Sequence, residues 1–388
     1  MRAWLLTVTL GGGLWACGEA DVENLGGEPS GPRPETPSQG EGPSPGFTPS
    51  LRGLSKPVVA VDSDGQLHVA GIDDATGWPA FWIDGELRAF PGGSDARAFE
   101  LSMVGGPSGM LHAVWISGGI LFYGRVAPEL SRRTAVVEIS RGGMYQSEVA
   151  VSDRGDVVIA GVSGNVREAN MRVEMFRGNV ESGFRGPEQV MPTCPRGCGG
   201  VAEILHLSGV NYERGYLHVA MTLTDAQGPR TILMTEGRGW YVQAQIPAVA
   251  LMDAAALTLS ARNESLLTVD EDGRELRLHD IYGSRTTRRA LHRLDRIERA
   301  RAARDESGVL HVLVAGRTDE ARVIDYLRVD VRGVQTQRLA TSTPERTLGL
   351  SPGTGALVVT DGAVVAPIVS LGRRFDASAE LVTLSLGE

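Results

Sequence analysis

The chain has almost no lysine: of its 38 basic residues only Lys56 is not arginine, so lysine Schiff-base chemistry has a single residue to draw on. Cysteine is as scarce, at three in 388 residues. A surplus of positive charge is also missing. The formal net charge of −9 removes any general electrostatic case for a nucleic-acid partner. No apolar run is long enough to span a bilayer comfortably, and 42% hydrophobic residues suit a packed soluble core, not a polytopic membrane protein. The signatures of a serine hydrolase elbow, a zinc-binding His-Glu-x-x-His helix, a phosphate-binding loop and a dinucleotide fold are all absent.

What is there begins at the N-terminus. Arg2 supplies a short positive region, Trp4 to Ala16 form an apolar stretch, and Cys17 follows, an arrangement that reads as a secretory signal. The order Leu14, Trp15, Ala16, Cys17 resembles the lipobox of bacterial lipoproteins. The resemblance implies that residues 1–16 are removed and that Cys17 carries acyl chains, palmitate among them. These would hold the protein to the outer membrane or cell surface without spanning it. From Gly18 to about Ser50 the chain is rich in Pro, Gly, Ser and Glu and almost free of large apolar side chains, so residues 17–50 are expected to be a disordered tether. Such a tether holds a folded domain roughly 30 Å from its anchor. Much of the negative charge sits here, where six acidic residues (Glu19, Asp21, Glu23, Glu28, Glu35, Glu41) face only Arg33.

Residues 51–388 carry an internal repeat. A short apolar run leads to a turn and then to an apolar strand that often begins Leu, His, Val, as in Gly65 before Leu67, His68 and Val69, and Gly308 before Leu310, His311 and Val312. The turn positions fall at 65, 109, 155, 215, 265, 308 and 355, and six of the seven are Gly, as tight turns with positive φ favour. Two further strand-like runs follow each turn. Four strands at this period predict an all-β fold, a single β-propeller of seven four-stranded blades. The number is six if the long insert near Cys194 hides an irregular unit, or if the segment from Leu348 completes the first blade.

The pattern Asp, x, x, Gly, x, Leu, His, Val, with Trp240 after Gly239, resembles the repeats of bacterial sialidase-like propellers with degenerate Asp-boxes. No copy carries the full box. The resemblance thus implies a propeller without implying sialidase activity, and the WD and kelch signatures are missing.

Few side chains stand out chemically. His68, His112, His218 and His311 share one repeat slot, yet equivalent positions lie around a circle and cannot converge on one metal ion, so structural hydrogen bonds between blades are expected and no metal or cofactor. Asp62 to Gly65 and Asp270 to Gly273 open like calcium loops but lack the remaining ligands, and read as hairpin turns. Cys194 and Cys198, left over once Cys17 is lipidated, suit a local disulfide in an oxidising compartment. Eight arginines crowd residues 285–304 against only Asp295 and Glu298. If this segment forms the outer strand of one blade and the inner strand of the next, Arg299 and Arg301 become candidates for binding an anionic glycan or headgroup. Trp78, Trp82, Trp115 and Trp240 are expected in blade packing. Together these features predict a monomeric, membrane-anchored module of the cell envelope that binds a protein or polysaccharide partner. The competing reading is a glycan-active hydrolase or lyase.

Overall fold

The computed structural model describes residues 46–386 other than 48–50, 84–85, 91–95, 128–134, 141, 153, 165–170, 191–202, 214–215, 226–227, 238, 247–255, 260–263, 271, 283–284, 344–345, 351–356, 361 and 373–376. The described residues form seven antiparallel sheets, six of them made of four consecutive strands, which are the blades of a β-propeller. In chain order, the first strands of blades 1 to 6 are Leu54–Val61, Ala98–Gly105, Met144–Val151, Glu203–Glu213, Ala256–Leu259 and Arg296–Arg304. They are also the innermost, because the first strand of each blade touches that of the next around the ring. Blade 7 is built differently. Arg346–Leu350 and Val358–Thr360 share its inner rank, Ala363–Gly372 and Ala377–Ser385 follow, and Gly46–Phe47 supplies the outer edge by pairing with Val382 and Thr383.

Why these residues make blades is visible in the burial pattern. Second strands such as Leu111–Ser117 and Val157–Ser163 are buried at every position, because each sheet is sandwiched between two others. Alternate residues face opposite neighbours: Leu310, Val312 and Val314 pack against blade 5, while Leu313 and Ala315 pack against blade 7. At about 25 cal/mol per Å² of apolar surface removed from water, such interfaces supply most of the stabilisation. A single blade leaves both faces wet, so only the closed ring is stable.

The turn glycines behave as their spacing predicts. Gly65, Gly155 and Gly308 have φ of 78°, 83° and 85°, and each donates its N–H to the carbonyl three residues earlier (Asp62, Ser152, Asp305). Two positions differ. Ser265 lies within the second strand of blade 5 (Glu264–Val269), since hydroxyl and backbone pairing with Asp280 keep it in the ladder. In blade 7, Val358–Thr360 belongs to the inner rank and the turn after it carries Gly362, while the expected turn positions Gly215 and Gly355 lie outside the described residues. Gly46 and Phe47, expected in the tether, enter the sheet at the seam. The segment after Leu348 makes its own blade, which settles the count at seven.

Candidate functional site

Because all blades share one strand order, one end of the ring carries the turns between first and second strands and the hairpins between third and fourth. At this end a charged residue near the close of a third strand reaches the next blade. Arg125 of blade 2 (Ile120–Val126) donates to Glu181 of blade 3, and Arg177 of blade 3 (Arg172–Asn179) donates to Glu236 of blade 4 (Gly228–Glu236). Asp280 of blade 5 (Glu275–Tyr282) lies 3.8 Å from Arg304 of blade 6.

The bridge between blades 3 and 4 is the most elaborate. Arg177 forks onto Glu236, Nη2 donating to Oε1 at 2.7 Å and Nη1 to Oε2 at 3.0 Å, while its Nε stands 3.5 Å from Glu188 Oε2. The indole Nε1 of Trp240 in blade 4 donates to Glu188 Oε1 at 2.9 Å. Beside them is a cavity of 590 Å³ lined by Val158, Met175, Arg177, Asn179, Arg185 and Glu188, among others. Its apolar wall is the outer fringe of the blade 3–blade 4 core, to which Val158 and Met175 belong and against which Trp240 packs. The cavity itself is lined by blade 3, with Arg177 and Glu188 among its walls, and Glu236 and the Trp240 indole of blade 4 are joined to these two side chains. Arg177 is about one-third exposed and Glu188 about half, at 33% and 48%, so both are open to solvent. Tyr216, which starts one strand, and Tyr241, second in another, are exposed by 55% and 49% at the same end of blade 4.

At the opposite end the first strands begin, and in blades 2, 3 and 6 each opens with a bulge. The residue just past the bulge locks onto the next blade: Glu100 accepts from the Ser147 N–H at 3.0 Å, Gln146 accepts from the Leu207 N–H at 2.9 Å, and Arg299 donates through Nη1 to the Leu350 carbonyl. Beside these clamps are the exposed rings of Phe99 and Tyr145, with Lys56 Nζ 5.9 Å from the Phe99 centroid and Lys56 itself at φ 48°. The only lysine of the chain thus adopts a left-handed conformation at this mouth.

The repeated histidines bond within their own blades, which corrects the expectation of bonds between blades. His68 Nε2 meets Asp62 at 2.7 Å, His112 Nδ1 meets the Tyr123 hydroxyl at 2.7 Å, and His218 Nδ1 meets the Thr235 hydroxyl at 3.0 Å. His311 bonds both Asp305 (3.2 Å) and the Tyr326 hydroxyl (2.7 Å). For His68 and His311 the cause is the turn: an Asp six residues ahead accepts turn N–H groups and is left facing the ring, as Asp62 does with Asp64 and Gln66. Burial opposes ionisation of Asp62, but the His68 and backbone hydrogen bonds outweigh it and hold the carboxyl below its usual value. Blade 2 has Gly106 at that place, so His112 has no carboxylate; burial, aided by Arg125, pulls its pKa down to about 4. Burial raises the Tyr326 hydroxyl to about 12. Among the described residues, no three His, Cys, Asp or Glu side chains are grouped to hold a metal ion.

Of the residues singled out from the sequence, Cys17, Cys194 and Cys198 lie outside the described residues. The arginine segment divides as expected into an outer strand, Arg285–Arg293, and the next inner strand, Arg296–Arg304. Arg299 is the blade 6–blade 7 clamp, and Arg301 Nη1 donates to the Ala300 carbonyl at 3.0 Å. Trp78 and Trp115 are buried in packing, in a T-shaped pair 5.6 Å apart. The sequence reading missed Arg177, Glu188 and Glu236. They are brought together by blade adjacency alone, and no local motif spans them; the one available signal was Trp240 opening an outer strand.

No family model matches the chain, and no curated protein matches it in sequence. Solved structures resemble it in fold. A puromycin hydrolase shares 14% identity at a TM-score of 0.50 over 86% of this chain and 53% of its own. The polysaccharide lyase Uly1 shares 10% identity at a TM-score of 0.49 over 83% of this chain and 85% of its own. A fucoside-bound lectin of Aleuria aurantia shares 11% identity at a TM-score of 0.47 over 74% and 95%. At these identities the likeness is one of fold: the chain is a seven-bladed β-propeller.

Proposed function

We propose that this protein is a carbohydrate-binding propeller of the cell envelope, anchored through a lipidated Cys17, that takes a polysaccharide at the cleft between blades 3 and 4. The observation that carries the reading is the convergence of the Arg177 fork, Glu188, Glu236 and the Trp240 indole beside a cavity of 590 Å³. Sugars present hydroxyls that suit charged, geometrically fixed hydrogen-bonding groups, and apolar ring faces that suit an aromatic plane. A cleft with both meets the two needs at once. The solved neighbours named a polysaccharide lyase and a fucoside-bound lectin fit a propeller used in this way without adding weight to it.

The alternative reading is a glycan-active hydrolase or lyase. Among the described residues, the carboxyls with displaced pKa (Asp62, Glu181, Asp270, Asp305 and Asp325) are all displaced downward. Binding is the reading carried by the Arg177, Glu188, Glu236 and Trp240 cluster. The test is affinity electrophoresis against a panel of neutral and acidic polysaccharides with Trp240→Ala and Arg177→Met. Each variant is expected to weaken binding about tenfold or more, the loss of one good charged or aromatic contact. Retention of wild-type affinity by both would overturn the cleft assignment. Palmitate labelling lost on Cys17→Ser checks the anchor.

A further inference from the structure

The outer strand of blade 5, Arg285–Arg293, has the sequence Arg, Thr, Thr, Arg, Arg, Ala, Leu, His, Arg, with its first six residues exposed. None of Arg285, Arg288 and Arg289 forms an ion pair or side-chain hydrogen bond with another described residue, and Arg293 has only a through-space attraction to Asp270. Other outer strands lack this surplus. Trp240–Ile246 has no charge at all, Gly183–Val190 balances Arg185 with Glu188, and Arg338 in Gly333–Thr341 is bound to Asp325. Blades splay apart with radius, so both faces of this edge are open. Arg285 and Arg289 share a face with Leu278, on the side of blade 6, and Arg288 lies on the other, opposite His279. Their charges are not relieved from within: Arg289 disfavours the charged form of Arg304, and Arg288 that of His279.

Three exposed guanidinium groups with no ion pair among the described residues stand on one edge, where they can take an external anion. The neighbouring surface says which kind. Tyr282, exposed by 51%, stands directly across the ladder from Arg285, and Tyr216 and Tyr241 of blade 4 open at the same end of the ring. Exposed aromatic rings at the same end of the ring as Arg285 suit a polymer with pyranose faces and carboxylate or sulfate groups better than a lipid surface.

We infer that the polysaccharide of the blade 3–4 cleft is acidic, and that Arg285, Arg288 and Arg289 bind its anionic groups where it runs onto blade 5. This rests on the carbohydrate reading of the cleft. The experiment compares binding of polygalacturonate with its fully methyl-esterified form, at low and high salt, for the wild type, Trp240→Ala, and the triple variant Arg285→Gln, Arg288→Gln, Arg289→Gln. All three arginines are exposed, and an unchanged circular dichroism spectrum confirms the fold of the variant. The wild type is expected to bind the acid form at least tenfold more tightly than the ester at low salt. That advantage shrinks at high salt, where exposed charges are screened. The triple variant should lose the advantage and keep the ester affinity. Equal affinity of wild type for both polymers, or an unchanged advantage in the triple variant, overturns the inference. So does tighter binding to anionic lipid vesicles or to an oligonucleotide than to polygalacturonate. If the triple variant loses the advantage while Trp240→Ala binds both polymers normally, the arginine edge stands and the cleft assignment alone falls.

Discussion

Adding one methyl group at Gly106 gives the sharpest test of how the blades are keyed. Gly106 is extended (φ −127°, ψ 174°), so an alanine there meets no backbone objection. The objection is steric. A Cβ would lie 2.4 Å from His112 Nε2 and 2.6 Å from Cδ2, about 1 Å inside ordinary contact. His112 is 4% exposed and its other nitrogen is held by the Tyr123 hydroxyl at 2.7 Å, so the ring can yield only by giving up that bond inside the core. Overpacking of this kind costs about 1–3 kcal/mol, and loss of the hydrogen bond a further ~1 kcal/mol. Gly106→Ala should therefore lower stability by about 2–4 kcal/mol in urea unfolding followed through Trp78 and Trp115, with the midpoint shifted at unchanged m. In a His112→Ala background the obstruction is gone, and the same substitution should cost under about 0.5 kcal/mol. A neutral Gly106→Ala in the otherwise wild-type chain, or equal costs in the two backgrounds, would refute the packing argument.

Acid should destabilise the fold in two stages. His112, held near pKa 4 against 6.5 when unfolded, contributes stability that is complete above pH 6.5 and is lost as pH falls toward 4, up to about 3 kcal/mol. Asp62, Asp305 and Asp325, held below 3.8, add a loss in the same direction at lower pH. Unfolding midpoints measured from pH 7.5 to 3 check both stages, and a His112→Phe variant with an unchanged slope between 6.5 and 4 would remove His112 from the account. At the other end of the ring, Arg299→Ala should free the Leu350 carbonyl and loosen blade 6 from blade 7, lowering stability by about 1–3 kcal/mol. Faster hydrogen exchange confined to 346–350 is the signature; uniform exchange throughout would count against a local clamp.

The blades were legible in the sequence because their cause is local. A turn that needs positive φ at Gly65 or Gly308, followed by Leu and His at fixed offsets, leaves its mark within ten residues. Register was lost where the local signal lapsed: Ser265 stands in a strand because of Asp280, and the blade 7 turn falls at Gly362, after an inner rank split in two. The cleft was not legible, since Arg177 and Glu236 belong to different blades and meet only when the ring forms. The arginine-rich segment could be seen but not apportioned. Placing Arg299 in a clamp and Arg285, Arg288 and Arg289 on an open edge depends on which strand is innermost, a property of the assembled ring.

Blade 7 couples the completion of the fold to the order in which the chain is made. Gly46 and Phe47 find their partners at Thr383 and Val382, and Leu51 donates to the Ala379 carbonyl at 2.7 Å. The partners are separated by more than three hundred residues, a contact whose loop entropy alone is about 5 kcal/mol. A stretch that emerges early must therefore wait, unpaired, until nearly everything after it has been synthesised. Until it docks, the last blade lacks its outer edge and blades 1 and 7 face each other without a shared strand. Folding of this chain is thus governed by a non-local closing event, and conditions that delay the C-terminal strands should leave an open ring with two apolar sheet faces available to other copies.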